Sequence, residues 1–194
     1  MNAQPPSNIH LDARALKVLA HPLRTRLLAA LRMDGPATAT ALAETLGTNT
    51  GATSYHLRRL ASVGLVEETD QGRGRERWWR AATEMHNWTE RDVADDPQGR
   101  AATDWLRRAT LSWFLDRYQA WLDTQASWPL DWQDVSGGSD FALSLTPARL
   151  AAFQAEFQAM FERYHAATPE TDDAEESAET VLIYLHTFPV GATK

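Results

Sequence analysis

The sequence has no cysteine among its 194 residues. That excludes disulfide bonds, thiolate metal ligands and a cysteine nucleophile. It also lacks any apolar run of about 18 residues, so no transmembrane helix is predicted. The first residues do not combine a charged start with an apolar stretch, so we predict no signal peptide and expect a cytoplasmic protein.

Sequence signatures of catalysis are also missing. The chain has no glycine-rich phosphate loop, no nucleophile elbow and no HExxH motif. Its six histidines are scattered, and no two have the i, i+3 or i, i+4 spacing of a helical metal site. We therefore expect no metal, no cofactor and no enzymatic activity.

Charge is distributed unevenly along the chain. The net charge is −7 overall, but residues 1–82 hold 11 Lys and Arg against 7 Asp and Glu, whereas residues 83–194 hold 8 against 19. The first part thus carries +4 and the second −11. Chance variation of surface charge would explain this, but so would a basic part that binds a polyanion beside an acidic part with another task.

Residues 38–64 have the pattern of two short helices joined by a tight turn. Thr38 suits the N-cap of the first helix, and Gly47 suits a left-handed turn. Asn49 or Thr50 suits the N-cap of the second helix, which we place at 49–63. This order predicts a helix-turn-helix.

A basic hairpin is predicted directly after these helices. Strands at 65–69 and 75–81 flank a loop rich in turn formers, which predicts a wing at 70–77. Its arginines could reach the minor groove or the backbone of DNA. They are Arg73, Arg75 and Arg77.

The second helix must bury one side and present the other to a DNA groove. Residues near its N-terminus meet base edges in such an arrangement, and short hydroxyls can donate to or accept from a base. The base-reading candidates are Thr50, Ser54 and Tyr55. The phosphate candidates are Asn49, Arg58 and Arg59.

Each of these candidates also has a purely structural interpretation. Asn49 could only cap the helix, and Ser54 could be an ordinary exposed serine. Arg58 and Arg59 could pair with carboxylates at 67–68 on the following strand, where exposed ion pairs contribute little stability. His56 is expected to be a partly buried packing residue.

The sequence as a whole predicts an α+β, mainly α protein with two folded parts. We expect a disordered tail at 1–10, a winged helix-turn-helix at 11–82, a linker at 83–97, and a second domain at 98–194. The second domain is predicted to be helical with a small β-sheet. Its strands are expected at 141–145 and 181–188, and residues 168–180 read as an acidic, solvated loop.

The second domain is rich in aromatic residues. Rings at helical spacing could line a pocket for an apolar or aromatic effector, or they could form a core and dimer seam. The candidates are Trp105, Trp113, Trp121, Phe153, Phe157 and Phe161. The two interpretations are compatible, and the second is the simpler one.

With these motifs in place, the sequence resembles the winged helix-turn-helix repressors of the ArsR type. The resemblance covers about 70 residues, at 19–47, 49–68 and 72–82, including the run of Ser54, His56, Leu57 and Leu60. It implies a homodimer that binds a palindromic operator in double-stranded DNA, with repression usually relieved by a signal.

Two departures from the family pattern stand out. Metal sensors of the family carry cysteines on the helix before the recognition helix, and this chain has none, so metal sensing of that type is not expected. Thr48 and Thr53 also stand where apolar residues are common.

Two rival functions remain open: a winged helix that binds a protein, and a ligand-binding C-terminal domain with an accessory winged helix.

Overall fold

The computed structural model describes residues 8–69, 77–167 and 178–191. The chain divides into two compact units, Met1–Ser112 and Trp113–Lys194, which are called unit 1 and unit 2 below. The division falls inside one long helix rather than at the predicted linker. Three expectations lie outside the described residues: most of the tail, the tip of the wing and most of the acidic loop.

In the part that the structure describes, unit 1 contains four short α-helices, five short strands and the start of the long helix. In chain order these are β1 (Asn8–His10), α1 (Ala13–Leu19), α2 (Pro22–Met33), β2 (Ala37–Thr38), α3 (Ala39–Leu46), α4 (Thr50–Ala61), β3 (Val66–Thr69), β4 (Trp78–Ala81), β5 (Met85–Asn87) and α5 (Pro97–Thr124). A short 3₁₀ helix, Glu90–Val93, precedes α5.

Local sequence chemistry sets the ends of the helices. The side chain of Asp12 accepts from the backbone N–H of Ala15 at 2.7 Å and begins α1. The hydroxyl of Thr38 accepts from the N–H of Ala41 at 3.1 Å and begins α3. Gly47 ends α3 with φ at 64°, a conformation that L side chains adopt at a cost. The predicted caps at Thr38 and Gly47 are thus confirmed.

One leucine-rich core holds unit 1 together. Leu16 from α1, Leu27 from α2 and Leu57 from α4 are all fully buried. Thr53, which stands where an apolar residue is common, is also fully buried. Its hydroxyl donates to the backbone oxygen of Asn49 at 3.1 Å, so burial leaves that donor satisfied.

Two small sheets complete unit 1. An antiparallel sheet has the strand order β2-β4-β3, and β1 pairs with β5 in parallel. Trp79 on β4 pairs with Ala37 and with Glu68 and is 3% exposed, whereas Trp78 is half-buried. Of the two adjacent tryptophans, Trp79 therefore belongs to the core.

Residues 83–97, predicted as a linker, are instead folded onto unit 1. They include β5 and the 3₁₀ helix, and Val93 is 1% exposed. A Cβ placed on Gly99 would lie 2.8 Å from Cγ1 of Val93, so this close approach requires glycine. Asp96 pairs with Lys17 on α1 at 2.7 Å, which fixes the start of α5. The exposed side of the segment is polar, and its few buried contacts depend on the folded chain, which is why the sequence reads as a linker.

The predicted tail at 1–10 also differs in part. Residues Asn8–His10 form β1, and the Nδ1 of His10 hydrogen-bonds to Oδ1 of Asn87 at 2.8 Å. Its Nε2 lies 3.0 Å from Oδ2 of Asp92. Strand pairing with β5 is the interaction that orders this end of the tail.

Within its described residues, unit 2 contains the rest of α5, a 3₁₀ helix (Gln125–Ser127) and two further α-helices, α6 (Leu130–Val135) and α7 (Pro147–Ala167). The predicted strands at 141–145 and 181–188 are wrong, because neither segment forms a strand. Phe141 and Val181 remain 87% and 59% exposed. An alternating apolar pattern needs a neighbouring strand to pair with, and neither segment has one within the described part of unit 2. The wider prediction of a mainly helical protein with small sheets is confirmed.

Candidate nucleic-acid interface

Helices α3 and α4 form the predicted helix-turn-helix. A turn of three residues, 47–49, joins them. The inner side of α4 is buried at Thr53, Leu57 and Leu60. Tyr55 is 55% exposed, and Arg58 and Arg59 are also exposed. The helix therefore has one face for the core and one polar, basic face for a ligand.

Asn49 caps α4, as one of its two interpretations predicted. Its side-chain oxygen accepts from the N–H of Ala52 at 2.8 Å. That oxygen is occupied by the helix end, so a phosphate contact by Asn49 would use its amide nitrogen or the free N–H groups at the helix start.

One flank of α4 faces an open groove of about 360 Å³. The start of α3 and strand β4 form the other walls of the groove. It brings together four of the predicted DNA contacts, namely Thr50, Ser54, Arg58 and Arg77. Thr38 and Thr40 also line it, and sequence reasoning did not select them as contacts. We call this surface the wing-side groove.

Ion pairing on the sheet leaves the arginines of α4 without carboxylate partners. Glu67 pairs with Arg80 at 2.6 Å, and Glu68 pairs with Arg77 at 3.2 Å. These are the two carboxylates that could have neutralised Arg58 and Arg59. Within the described part of the chain, Arg58 and Arg59 form no ion pair, and Nε of Arg58 donates to the backbone oxygen of Ser54 at 3.0 Å.

The predicted wing is described only at its edge. Arg77 lies in the wing-side groove, while Arg73 and Arg75 lie outside the described residues. Their roles remain predictions.

The other flank of α4 packs against the start of α2. The ring centroids of His56 and His21 are 4.3 Å apart, and the Tyr55 ring meets His56 edge-on at 5.1 Å. His21 caps α2, since its Nδ1 accepts from the N–H of Leu23 at 3.1 Å. Burial, and to a lesser degree the charge of Arg24, lowers the pKa of His21, and burial likewise lowers the pKa of His56. His56 is half-buried, as predicted for a packing residue.

Arg24 is a residue of this flank that sequence reasoning missed. Burial lowers its pKa first, and the neighbouring charge of Arg59 lowers it further. Its position two residues after Pro22 gives no local signal for such a role.

The aromatic residues predicted for an effector pocket or dimer core divide between the two units. Trp105 packs against the core of unit 1. In unit 2, Trp113 and Trp121 are half-buried, as are Phe157 and Phe161, while Phe153 is 37% exposed. An effector pocket built from these rings remains a prediction.

Two observations bear on other functions. Among the described residues, no three His, Cys, Asp or Glu side chains lie close enough together to hold a metal ion. Over the same residues, no helix is long and apolar enough to cross a membrane.

Comparison with known proteins identifies the family of this chain. A helix-turn-helix domain model matches residues 19–69. A crystal structure of a possible transcriptional regulator for arsenical resistance shares 34% sequence identity with the chain, covering 57% of this chain and 95% of that one, with a TM-score of 0.32. The chain belongs to the ArsR-type helix-turn-helix regulators.

Two further structures similar to this ArsR-type chain are of the same Mycobacterium bovis fragment. An NMR structure shows a homodimeric winged helix-turn-helix DNA-binding domain of a possible ArsR-family regulator, with 27% identity over 54% of this chain and 77% of that one, and a TM-score of 0.35. A crystal structure of fragment 1–100 of a possible transcriptional regulatory protein matches at 27% identity, over 54% of this chain and 89% of that one, with a TM-score of 0.34. The family assignment rests on sequence identity and the domain match. No curated protein matches the chain significantly.

Proposed function

We propose that this ArsR-type regulator is a homodimeric repressor that binds a palindromic operator in double-stranded DNA through α4. The observation that carries the proposal is the outer face of α4. There, Arg58 and Arg59 are exposed, and Glu67 and Glu68 are already paired with arginines of the sheet. A basic face that no carboxylate of the described residues neutralises suits a polyanion.

The same face supplies groups suited to base edges. Thr50 and Ser54 place hydroxyls in the wing-side groove, and Tyr55 projects from the centre of the exposed side. In the proposed complex these three residues read bases, while Arg58 and Arg59 bind phosphates. Arg73, Arg75 and Arg77 would extend the contact from the wing.

Homodimer formation is supported by apolar residues left exposed on α5. Leu115 and Leu122 are 52% and 42% exposed, and a spacing of seven residues places them on one side of the helix. A second copy of this helix is the occupant that the proposal assigns to that side. The Mycobacterium bovis relative is homodimeric. A dimer would set two copies of α4 about 34 Å apart, in successive major grooves.

In this proposal the protein has no catalytic role and binds its DNA in the cytoplasm. Control by a small apolar or aromatic effector is assigned to the rings of unit 2, where Trp113 and Phe114 pack against Tyr184. Saturable quenching of tryptophan fluorescence by a ligand would identify such an effector.

Substitutions on α4 test which residues bind phosphates and which read bases. We expect Arg58→Ala to weaken binding to all duplexes similarly and to reduce the salt slope by about 1. Ser54→Ala and Tyr55→Ala should instead change the preferred base at particular positions, by about 1–3 kcal/mol each. Binding of each variant is measured by fluorescence anisotropy on a duplex selected from a randomised library and on its single-base variants.

Arg107→Ala is the matched control, because Arg107 is already paired with Glu90 and lies on α5. It should leave affinity and salt slope close to the wild-type values. Equal losses on every duplex for Ser54→Ala and Tyr55→Ala would show that these residues do not read bases.

A further inference from the structure

The flank of α4 opposite the wing-side groove carries a cation that the protein itself does not satisfy. Arg24 is half-buried, and its Nε is enclosed without a hydrogen-bond partner. Among the described residues, no carboxylate pairs with it, and the charge of Arg59 lowers its pKa. Partly burying a guanidinium beside a like charge, with one N–H left without an acceptor, costs stability.

Two imidazole rings lie near Arg24. His21 and His56 pack against each other with their planes tilted by 37°, and the Nδ1 of His56 is likewise enclosed without a partner. Because burial lowers the pKa of both imidazoles, neither is expected to add a positive charge near pH 7. Two enclosed N atoms without partners in one cluster are rare in a folded protein, and the Nε–H of Arg24 is a donor that lacks an acceptor.

Helix geometry places this cluster on the far side of α4 from the wing-side groove. At about 100° per residue, Thr50 and Ser54 lie to one side of Tyr55, and His56 and Arg59 lie to the other. The contacts agree, because Ser54 lines the wing-side groove and His56 packs on His21. We call the surface of Arg24, His56 and Arg59 the α2-side flank.

A helix in the major groove is bordered by a phosphate strand on each side. The groove is about 12 Å wide and a helix with its side chains is about 10–12 Å across, so both flanks approach backbone phosphates. The wing-side groove faces one strand with Arg77 and Arg58. The α2-side flank would face the other strand, and a guanidinium is suited to a phosphate because it can donate two parallel hydrogen bonds.

We propose that the α2-side flank is a second phosphate-binding site, in which Arg24 clamps a backbone phosphate of the strand opposite the wing. Arg59 shares the charge of that phosphate, and the His21–His56 pair sets the direction of Arg24. This inference rests on the proposed function, since it deepens the same DNA interface. It assigns a DNA contact to α2, outside the helix-turn-helix.

Arg24→Gln is the first test. We expect about tenfold weaker binding to all duplexes, and a salt slope smaller by about 0.9. Arg24→Lys keeps the charge and should retain the slope while losing part of the affinity. Arg107→Gln removes a charge that Glu90 already neutralises and should change neither quantity.

Thermal unfolding of the free protein separates a DNA contact from a structural role. Because Arg24 has no ion pair and an unpartnered Nε among the described residues, Arg24→Gln should leave the melting temperature unchanged or raise it. A lower melting temperature together with unchanged DNA affinity would overturn the proposal, since it would make Arg24 a structural residue.

A phosphate scan of the selected duplex gives the decisive comparison. Each backbone phosphate in turn is replaced by a neutral methylphosphonate, and binding of wild type and Arg24→Gln is measured. We expect one position whose neutralisation weakens wild type about tenfold and leaves the variant unaffected. Equal losses in both proteins at every position would refute the site. If wild type itself binds no duplex, the proposed function fails instead.

Discussion

Leu115→Asp combined with Leu122→Asp is expected to turn the protein into a monomer and to lower its affinity for a palindromic duplex by at least about 100-fold. Both leucines are substantially exposed on α5 and are assigned to the seam with a second copy. A carboxylate buried in an apolar seam without a partner costs several kcal/mol. Linking two binding modules strengthens binding by about 10²–10⁴, and this gain disappears with the dimer.

Light scattering after size exclusion measures the mass, and fluorescence anisotropy measures binding to the full site and to a half-site. Ala120→Asp is the matched control, because Ala120 is exposed on α5 about 140° around the helix from Leu115. It should remain dimeric and bind normally. A double leucine variant that stays dimeric with unchanged affinity would contradict this seam.

Acidification from pH 7 to pH 4 is expected to destabilise unit 1 by about 3 kcal/mol through His86 alone. Burial, and secondarily the charge of Arg32, lowers the pKa of His86 to about 4. Nη1 of Arg32 lies 2.8 Å from Nδ1 of His86, and because arginine can only donate, the neutral ring accepts there and carries its proton on Nε2. Nε of Arg32 donates to the backbone oxygen of Thr83 at 2.9 Å, so the pair joins α2 to the segment before β5.

The sign of the effect follows from where the proton binds. The unfolded chain takes up a proton on His86 near pH 6.5, while the folded chain does so only near pH 4. Stability from this residue is therefore complete above pH 6.5 and is lost as the pH falls toward 4. Urea unfolding of wild type and of His86→Gln is measured at several pH values. The difference between their free energies of unfolding reports on His86, because the titration of groups common to both proteins cancels.

His10→Gln provides a control of opposite sign. Hydrogen bonds to Asp92 and Asn87 raise the pKa of His10, so its contribution is present below pH 6.5 and disappears as the pH rises through its folded pKa. Removing His10 should therefore cost more stability at acid pH than above its folded pKa. If His86→Gln changes the free energy of unfolding by the same amount at pH 4 and at pH 7, a neutral, buried His86 is contradicted.

Sequence was informative where structure is determined locally. The caps at Thr38 and Asn49 and the left-handed Gly47 each depend on neighbours within a few residues, so a single sequence reveals them. The helical character predicted for 98–194 also agrees with α5, α6 and α7.

Tertiary contacts explain what sequence could not reveal. The segment 83–97 reads as a linker because its surface is polar, and nothing local shows that Val93 will meet Gly99 in the core. Segment 141–145 alternates like a strand and segment 181–188 is apolar on both faces, but neither pattern can supply a pairing partner. For the candidate interface, sequence predicted which side of α4 is exposed but did not single out Arg24, because the lack of a partner for a cation is visible only once the chain is folded.

Sequence-specific binding of DNA by the full chain is the central claim, and one titration tests it most directly. A duplex selected from a randomised library and a scrambled duplex of the same composition are each titrated by fluorescence anisotropy at several salt concentrations. The account predicts at least about 10³-fold tighter binding to the selected duplex at physiological salt, with an affinity that falls steeply as salt rises. Selection that enriches no sequence, with equal and weak binding to both duplexes, would contradict it.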